Sequence, residues 1–150
     1  MSFKKINCFK AYDLRGQIGS EFNESVVYRV ARAKAEVLKA KSIIISYDAR
    51  ETSEKFANIA SKGVVDAGSN ALMIGMAGTE EMYWAVTEFN TCGGIEITAS
   101  HNPIEYNGMK LVKRNSRPLD LTKEFLKIKE IAEKGSWTCL LYTSDAADDV

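Results

Sequence analysis

Ser42-Ile43-Ile44-Ile45-Ser46, then Ser53 to Ala67, then Ala71-Leu72-Met73-Ile74-Gly75 is the stretch that decides the fold. The first run is short and β-branched and predicts a buried strand. The second is amphipathic and rich in helix formers, with Gly68 placed as its stop. The third is apolar again and predicts a second buried strand. Strand, helix and strand in this order make a crossover unit, which pairs its two strands in parallel.

The same alternation continues outward. Val26 to Leu38 carries apolar residues at helical spacing, ahead of the first strand. Thr79, followed by Glu80 and Glu81, predicts an N-cap with acids in the first turn of a helix reaching about Phe89. Gly94 to Thr98 and Met109 to Val112 predict two more strands, and Asp120 to Lys134 a closing helix. The expectation is an α/β domain with a mostly parallel sheet covered by helical layers.

Composition narrows the function. The chain has 150 residues, enough for one domain with a core of its own. It is 45% hydrophobic and 27% charged, which excludes a disordered chain. Twenty basic and twenty acidic residues cancel, against a nucleic-acid binder working through bulk charge and against a polybasic membrane anchor. The longest apolar runs are strand-length, and the first residues are too polar to open a signal peptide. Cys8, Cys92 and Cys139 are too widely spaced for a C-x-x-C motif, and an odd, sparse set suits a reducing compartment. A cytoplasmic location is expected.

The strongest chemical candidate follows the third strand: Thr98-Ala99-Ser100-His101-Asn102-Pro103. Functional loops in open α/β sheets lie beyond the carboxyl ends of strands. His101 is the sole histidine and directly follows Ser100, so a serine–histidine nucleophile of the hydrolase kind is disfavoured. A serine that carries a phosphoryl group fits better, with His101, Lys110 and Arg15 as cations and donors around it. A polar turn closed by Asn-Pro reads as well from spacing alone. The second candidate is Phe9-Lys10-Ala11-Tyr12-Asp13-Leu14-Arg15-Gly16, where a guanidinium suits bidentate phosphate contact. A strand or turn with a local Asp13–Arg15 pair is the plainer reading.

Taken together, these segments resemble the first domain of the α-D-phosphohexomutases, the phosphomannomutase and phosphoglucomutase superfamily. Three pieces carry the resemblance: Cys8 to Gly16; Ile74 to Tyr83; and Gly93 to Pro103 followed by Tyr106 to Val112. It implies a single three-layer α/β/α domain with a mixed, mostly parallel sheet over residues 1–138. It implies that Ser100 is a phosphoserine that passes its phosphoryl group to a hexose phosphate, through a bisphosphorylated sugar, in mannose 6-phosphate and mannose 1-phosphate interconversion for GDP-mannose supply. Ser100, His101, Lys110 and Arg15 would be catalytic. Tyr12, Asn102 and Lys10 would bind substrate. Magnesium would be held through the phosphate on Ser100. A phosphosugar is the implied substrate, with no nucleic acid or membrane partner. Family members run to about three times this length, so the remaining mutase domains are implied partners and this chain alone is expected to be inactive. Ser46-Tyr47-Asp48-Ala49-Arg50 departs from the family pattern, and a packing adjustment at the strand end is expected there. The alternative is a non-catalytic, flavodoxin-like anion-binding or interaction domain.

The end of the chain reads differently. Cys139 to Val150 contains three acids and no base. It resembles the translation of a transposon mosaic-end sequencing adapter, so 139–150 is expected to be a non-native tail. Without it the balance becomes twenty bases against seventeen acids.

Overall fold

The computed structural model describes residues 2–137. The expected tail at 139–150 lies outside them. The elements are β1 (Leu14–Gln17), α1 (Glu24–Leu38), β2 (Ser42–Tyr47), α2 (Ser53–Asp66), β3 (Asn70–Met76), α3 (Thr79–Glu88), β4 (Gly93–Ile97), β5 (Tyr106–Lys113) and α4 (Glu124–Lys134), with a 3-10 turn at Arg114–Ser116. The five strands lie in the order β1-β5-β4-β2-β3. β2 pairs in parallel with β3 and β4, while β5 runs antiparallel to both β4 and β1. Four strands therefore point the same way and β5 alone is reversed, the mixed and mostly parallel sheet that was expected.

The pleat builds two cores. Ile43, Ile45, Ile95, Ile97, Met109 and Leu111 pack with residues of α1, α2 and α4. Their neighbours Ile44 and Val112 pack instead with Met82, Ala85 and Val86 of α3. Alternate residues of one strand face opposite sides, so this division makes three layers, with α3 opposite the other helices. Helices α1 and α2 meet closely at Gly63, where a Cβ would lie 2.7 Å from the Tyr28 carbonyl oxygen.

Local signals set the helix ends. The Asn23 side chain accepts a bond from the Val26 amide at 3.0 Å and caps α1. Gly68, at φ +89°, follows the end of α2 as expected. Two boundaries differ from expectation. The N-cap of α3 is Gly78, whose amide donates to Glu81 Oε1 at 2.7 Å, and Thr79 is the first helical residue. α4 begins at Glu124 because the Asp120 carboxylate accepts from the Thr122 and Lys123 amides and holds a turn there.

Two strands also differ. β3, expected to be buried, is an edge strand with Met73 and Met76 exposed. An apolar run alone does not distinguish an edge from a centre. β1 was expected only as a strand or turn; it joins the sheet because β5 extends back to Tyr106 and offers it an edge. No helix of the described residues is long and apolar enough to cross a membrane.

Candidate active site around the serine loop

β2 and β4 are adjacent and parallel, so their carboxyl ends emerge side by side. Asp48 to Arg50 follows β2, and Thr98 to Glu105 links β4 to β5. The strand register therefore brings together two segments 50 residues apart.

Ser100 stands exposed at the turn of the second segment, with φ +54°. This left-handed conformation is uncommon for a residue with a side chain and needs support from its surroundings. Part of the support is local. The Ser100 amide donates to Thr98 Oγ1 at 3.0 Å, the Asn102 amide to the Ala99 carbonyl at 3.0 Å and the Tyr106 amide to the Pro103 carbonyl at 3.0 Å. The rest comes from Arg50. Its Nη1 donates to the carbonyls of Pro103 and Tyr106 at 2.8 and 3.0 Å. Its Nη2 donates to those of Ser100 and Asn102 at 3.0 and 2.5 Å.

A frame of side chains carries Arg50. Its Nε lies 3.6 Å from Asp48 Oδ2, and its amide donates to Asp48 Oδ1 at 3.0 Å. Ser53 Oγ, at the start of α2, also donates to Asp48 Oδ1, at 2.6 Å. The buried Asn107 amide nitrogen donates to the hydroxyl oxygens of Thr52 and Ser53 at 2.9 and 3.0 Å. The end of β2 has a local irregularity of its own. The register of β2 on β3 shifts between Ile45 and Ser46, and buried Ser46 donates to buried Glu96. Burial pushes the Glu96 carboxyl up to about 7; the bond from Ser46 opposes this, and the charges of Asp48 and Glu81 add to it.

The expected site residues fall into two adjoining groups. Ser100 and Asn102 line an open groove of about 480 Å³ with Asp48, Arg50 and Ile104. Arg15 on β1 reaches the same loop, donating to Asn102 Oδ1 at 3.2 Å while paired with Asp13 at 2.9 Å. Tyr12 and Lys110 line a second hollow of about 210 Å³ with Asp13, Tyr83 and Ser116. Arg15 and Asp13 thus link the two groups. His101 and Lys10 are exposed. Asp48 and Arg50 were not singled out from sequence as site residues. The Asp-x-Arg spacing at a strand's carboxyl end was the available signal.

This arrangement can present a hydroxyl to solvent on a loop of fixed shape, with a guanidinium at one flank and an ammonium one strand away. Such a site suits an anionic ligand. A metal is less well provided for. Among the described residues there is no group of three or more His, Cys, Asp or Glu placed to hold an ion. These residues do not build a magnesium site by themselves.

Comparison with known proteins places the chain in a family. Residues 7–138 match the family model for phosphoglucomutase/phosphomannomutase, alpha/beta/alpha domain I. A phosphomannomutase from Escherichia coli K12 is 48% identical over 130 residues, covering 87% of this chain and 28% of that protein. A phosphomannomutase from Klebsiella pneumoniae is 45% identical over 133 residues, covering 89% of this chain and 85% of that one. The crystal structure of a phosphoglucomutase/phosphomannomutase family protein from Burkholderia thailandensis superposes with a TM-score of 0.73 at 25% identity, covering 97% of this chain and 36% of that chain. The chain spans under a third of the E. coli K12 relative. By sequence match and by fold, this chain belongs to the phosphoglucomutase/phosphomannomutase family, as its α/β/α domain I.

Proposed function

We propose that the chain is the phosphoserine domain of a longer phosphomannomutase. Ser100 would carry the phosphoryl group, give it to a hexose phosphate and take another back from the bisphosphorylated sugar, so that mannose 6-phosphate and mannose 1-phosphate interconvert and supply GDP-mannose. The observation that carries this reading is the exposed, left-handed Ser100 held on a loop of convergent bonds, with Arg15 on its Asn102. Phosphoryl transfer depends on positioning and charge neutralisation more than on covalent help from the protein. A fixed serine among cations meets that need.

The side chains divide the work as follows. Arg15 holds Asn102 and faces the incoming phosphate. Lys110 and Tyr12 line the adjoining hollow, where the sugar phosphate would approach. His101 and Lys10 add donors at the rim. Magnesium, when bound, would neutralise charge on the transferring phosphoryl group. Of its ligands this domain would offer the phosphate on Ser100, the others coming from the remaining mutase domains. The 150-residue chain is accordingly expected to show no turnover, and the complete enzyme to work in the cytoplasm.

Mass spectrometry of the complete mutase tests the reading. Phosphate on Ser100, with mutase activity lost in Ser100→Ala, is the expected result. A persistently unmodified Ser100, with full activity in Ser100→Ala, overturns it in favour of an anion-binding domain.

A further inference from the structure

Four backbone carbonyls of the serine loop, those of Ser100, Asn102, Pro103 and Tyr106, point at one guanidinium. Four convergent carbonyls repel one another unless a donor fills the space between them, and a polar group left without its partner is costly. The match to arginine is complete. Both Nη atoms have two N–H groups, and each takes two carbonyls. The remaining N–H, on Nε, faces Asp48 at 3.6 Å. A lysine ammonium has three donors on one atom and lacks the planar fork, so it cannot serve four acceptors. The loop residues on which these carbonyls sit include Ser100 at φ +54°, a backbone that needs support beyond the loop's own bonds.

We propose that Arg50 is the positioning residue of the serine loop: its guanidinium locks four loop carbonyls and thereby fixes where Ser100 Oγ stands. This rests on the reading of Ser100 as the phosphoryl carrier and extends it to a residue outside the substrate hollow. Asp48 orients the guanidinium, and Ser53 and Asn107 orient Asp48 through the bonds described above. The loop's own bonds are thus completed by Arg50, in the connection between β2 and α2.

Amide hydrogen exchange on the 150-residue chain tests the lock. The peptide spanning 98–108 contains the bonded amides of Ser100, Asn102 and Tyr106. In Arg50→Ala and in Arg50→Lys its exchange should quicken at least tenfold, while peptides from α1 and α4 stay within twofold of the parent. Added ethylguanidine should restore protection in Arg50→Ala and leave Arg50→Lys unchanged. In the complete mutase, Arg50→Lys should lower kcat at least tenfold with KM within twofold. Loop exchange in Arg50→Ala within twofold of the parent overturns the proposal. So does quickening that spreads equally to α1 and α4, or full protection and full kcat in Arg50→Lys. The exchange arm reads the unphosphorylated chain, so it succeeds or fails independently of whether Ser100 ever carries phosphate.

Discussion

Glu96→Gln should change the pH dependence of folding, and the structure sets the size of the effect. Glu96 is 1% exposed on β4, between Ser46 of β2 and Lys110 of β5 in the strand register, with α3 packed over that face. Its carboxyl is raised from 4.5 to about 7, chiefly by burial. Between those two values the unfolded chain gives up its proton while the folded chain keeps it. The unfolded state then binds fewer protons, so stability falls as pH rises through this window. Each unit of difference is worth about 1.4 kcal/mol, so the parent should lose about 2 kcal/mol between pH 5 and pH 7.5 from this one group. Glutamine keeps an acceptor for the Ser46 hydroxyl and cannot ionise. Urea unfolding followed by tryptophan fluorescence, on parent and variant at both pH values, isolates the term, because every other titration cancels in the difference. The variant should be nearly equal to the parent at pH 5 and more stable by about 2 kcal/mol at pH 7.5. Parallel pH profiles would refute the reasoning and mean that the carboxyl ionises in the folded chain as it does in the unfolded one.

Two further outcomes follow from buried or cation-facing groups. Lys34 is fully buried, donates to the Val112 carbonyl and has its ammonium lowered to about 7 by desolvation. The unfolded chain binds that proton up to 10.5, so stability should rise by about 3 kcal/mol between pH 7 and pH 9.5; Lys34→Met should lack that rise in the same urea assay. Burial alone would raise the Cys92 thiol, but the Lys41 and Ser42 amides and the Arg114 guanidinium outweigh it and hold the thiol below its ordinary value. Cys8 is buried, and desolvation pushes it up to about 11. Iodoacetamide should therefore label Cys92 at least tenfold faster than Cys8 by peptide mass spectrometry, and Arg114→Ala should narrow the gap; equal rates would contradict the assignment.

Much of the fold was legible because its elements carry strong periodic signals. The β-branched run at Ile43 to Ile45 cannot bury all three side chains on one face of a sheet, and it became the strand with core on both sides. β1 was not legible as a sheet member. Its four residues include only one large apolar side chain, Leu14, and its pairing is supplied by Tyr106 to Met109 of the adjacent β5. Ile95-Glu96-Ile97 alternates apolar and charged residues, yet α3 covers the face of Glu96 and buries the acid. Alternation reports which residues share a side, not what lies over them.

The candidate site divides in the same way. Ser100, Asn102 and Arg15 were recognisable from residue type and motif, and the structure brings Arg15 onto Asn102. Arg50 was passed over because its partners lie 50 to 56 residues along the chain, where no local pattern reaches. The sequence by itself determined the alternation of elements, the layered class and the chemical identity of the serine loop, since these depend on side-chain period and residue type. Only the tertiary structure decided that β5 turns back, that β1 and Arg15 come to rest beside Asn102, and that one guanidinium gathers four carbonyls beneath Ser100. Those facts depend on strand register and on distances between remote segments, which are properties of the packed chain and not of any stretch within it.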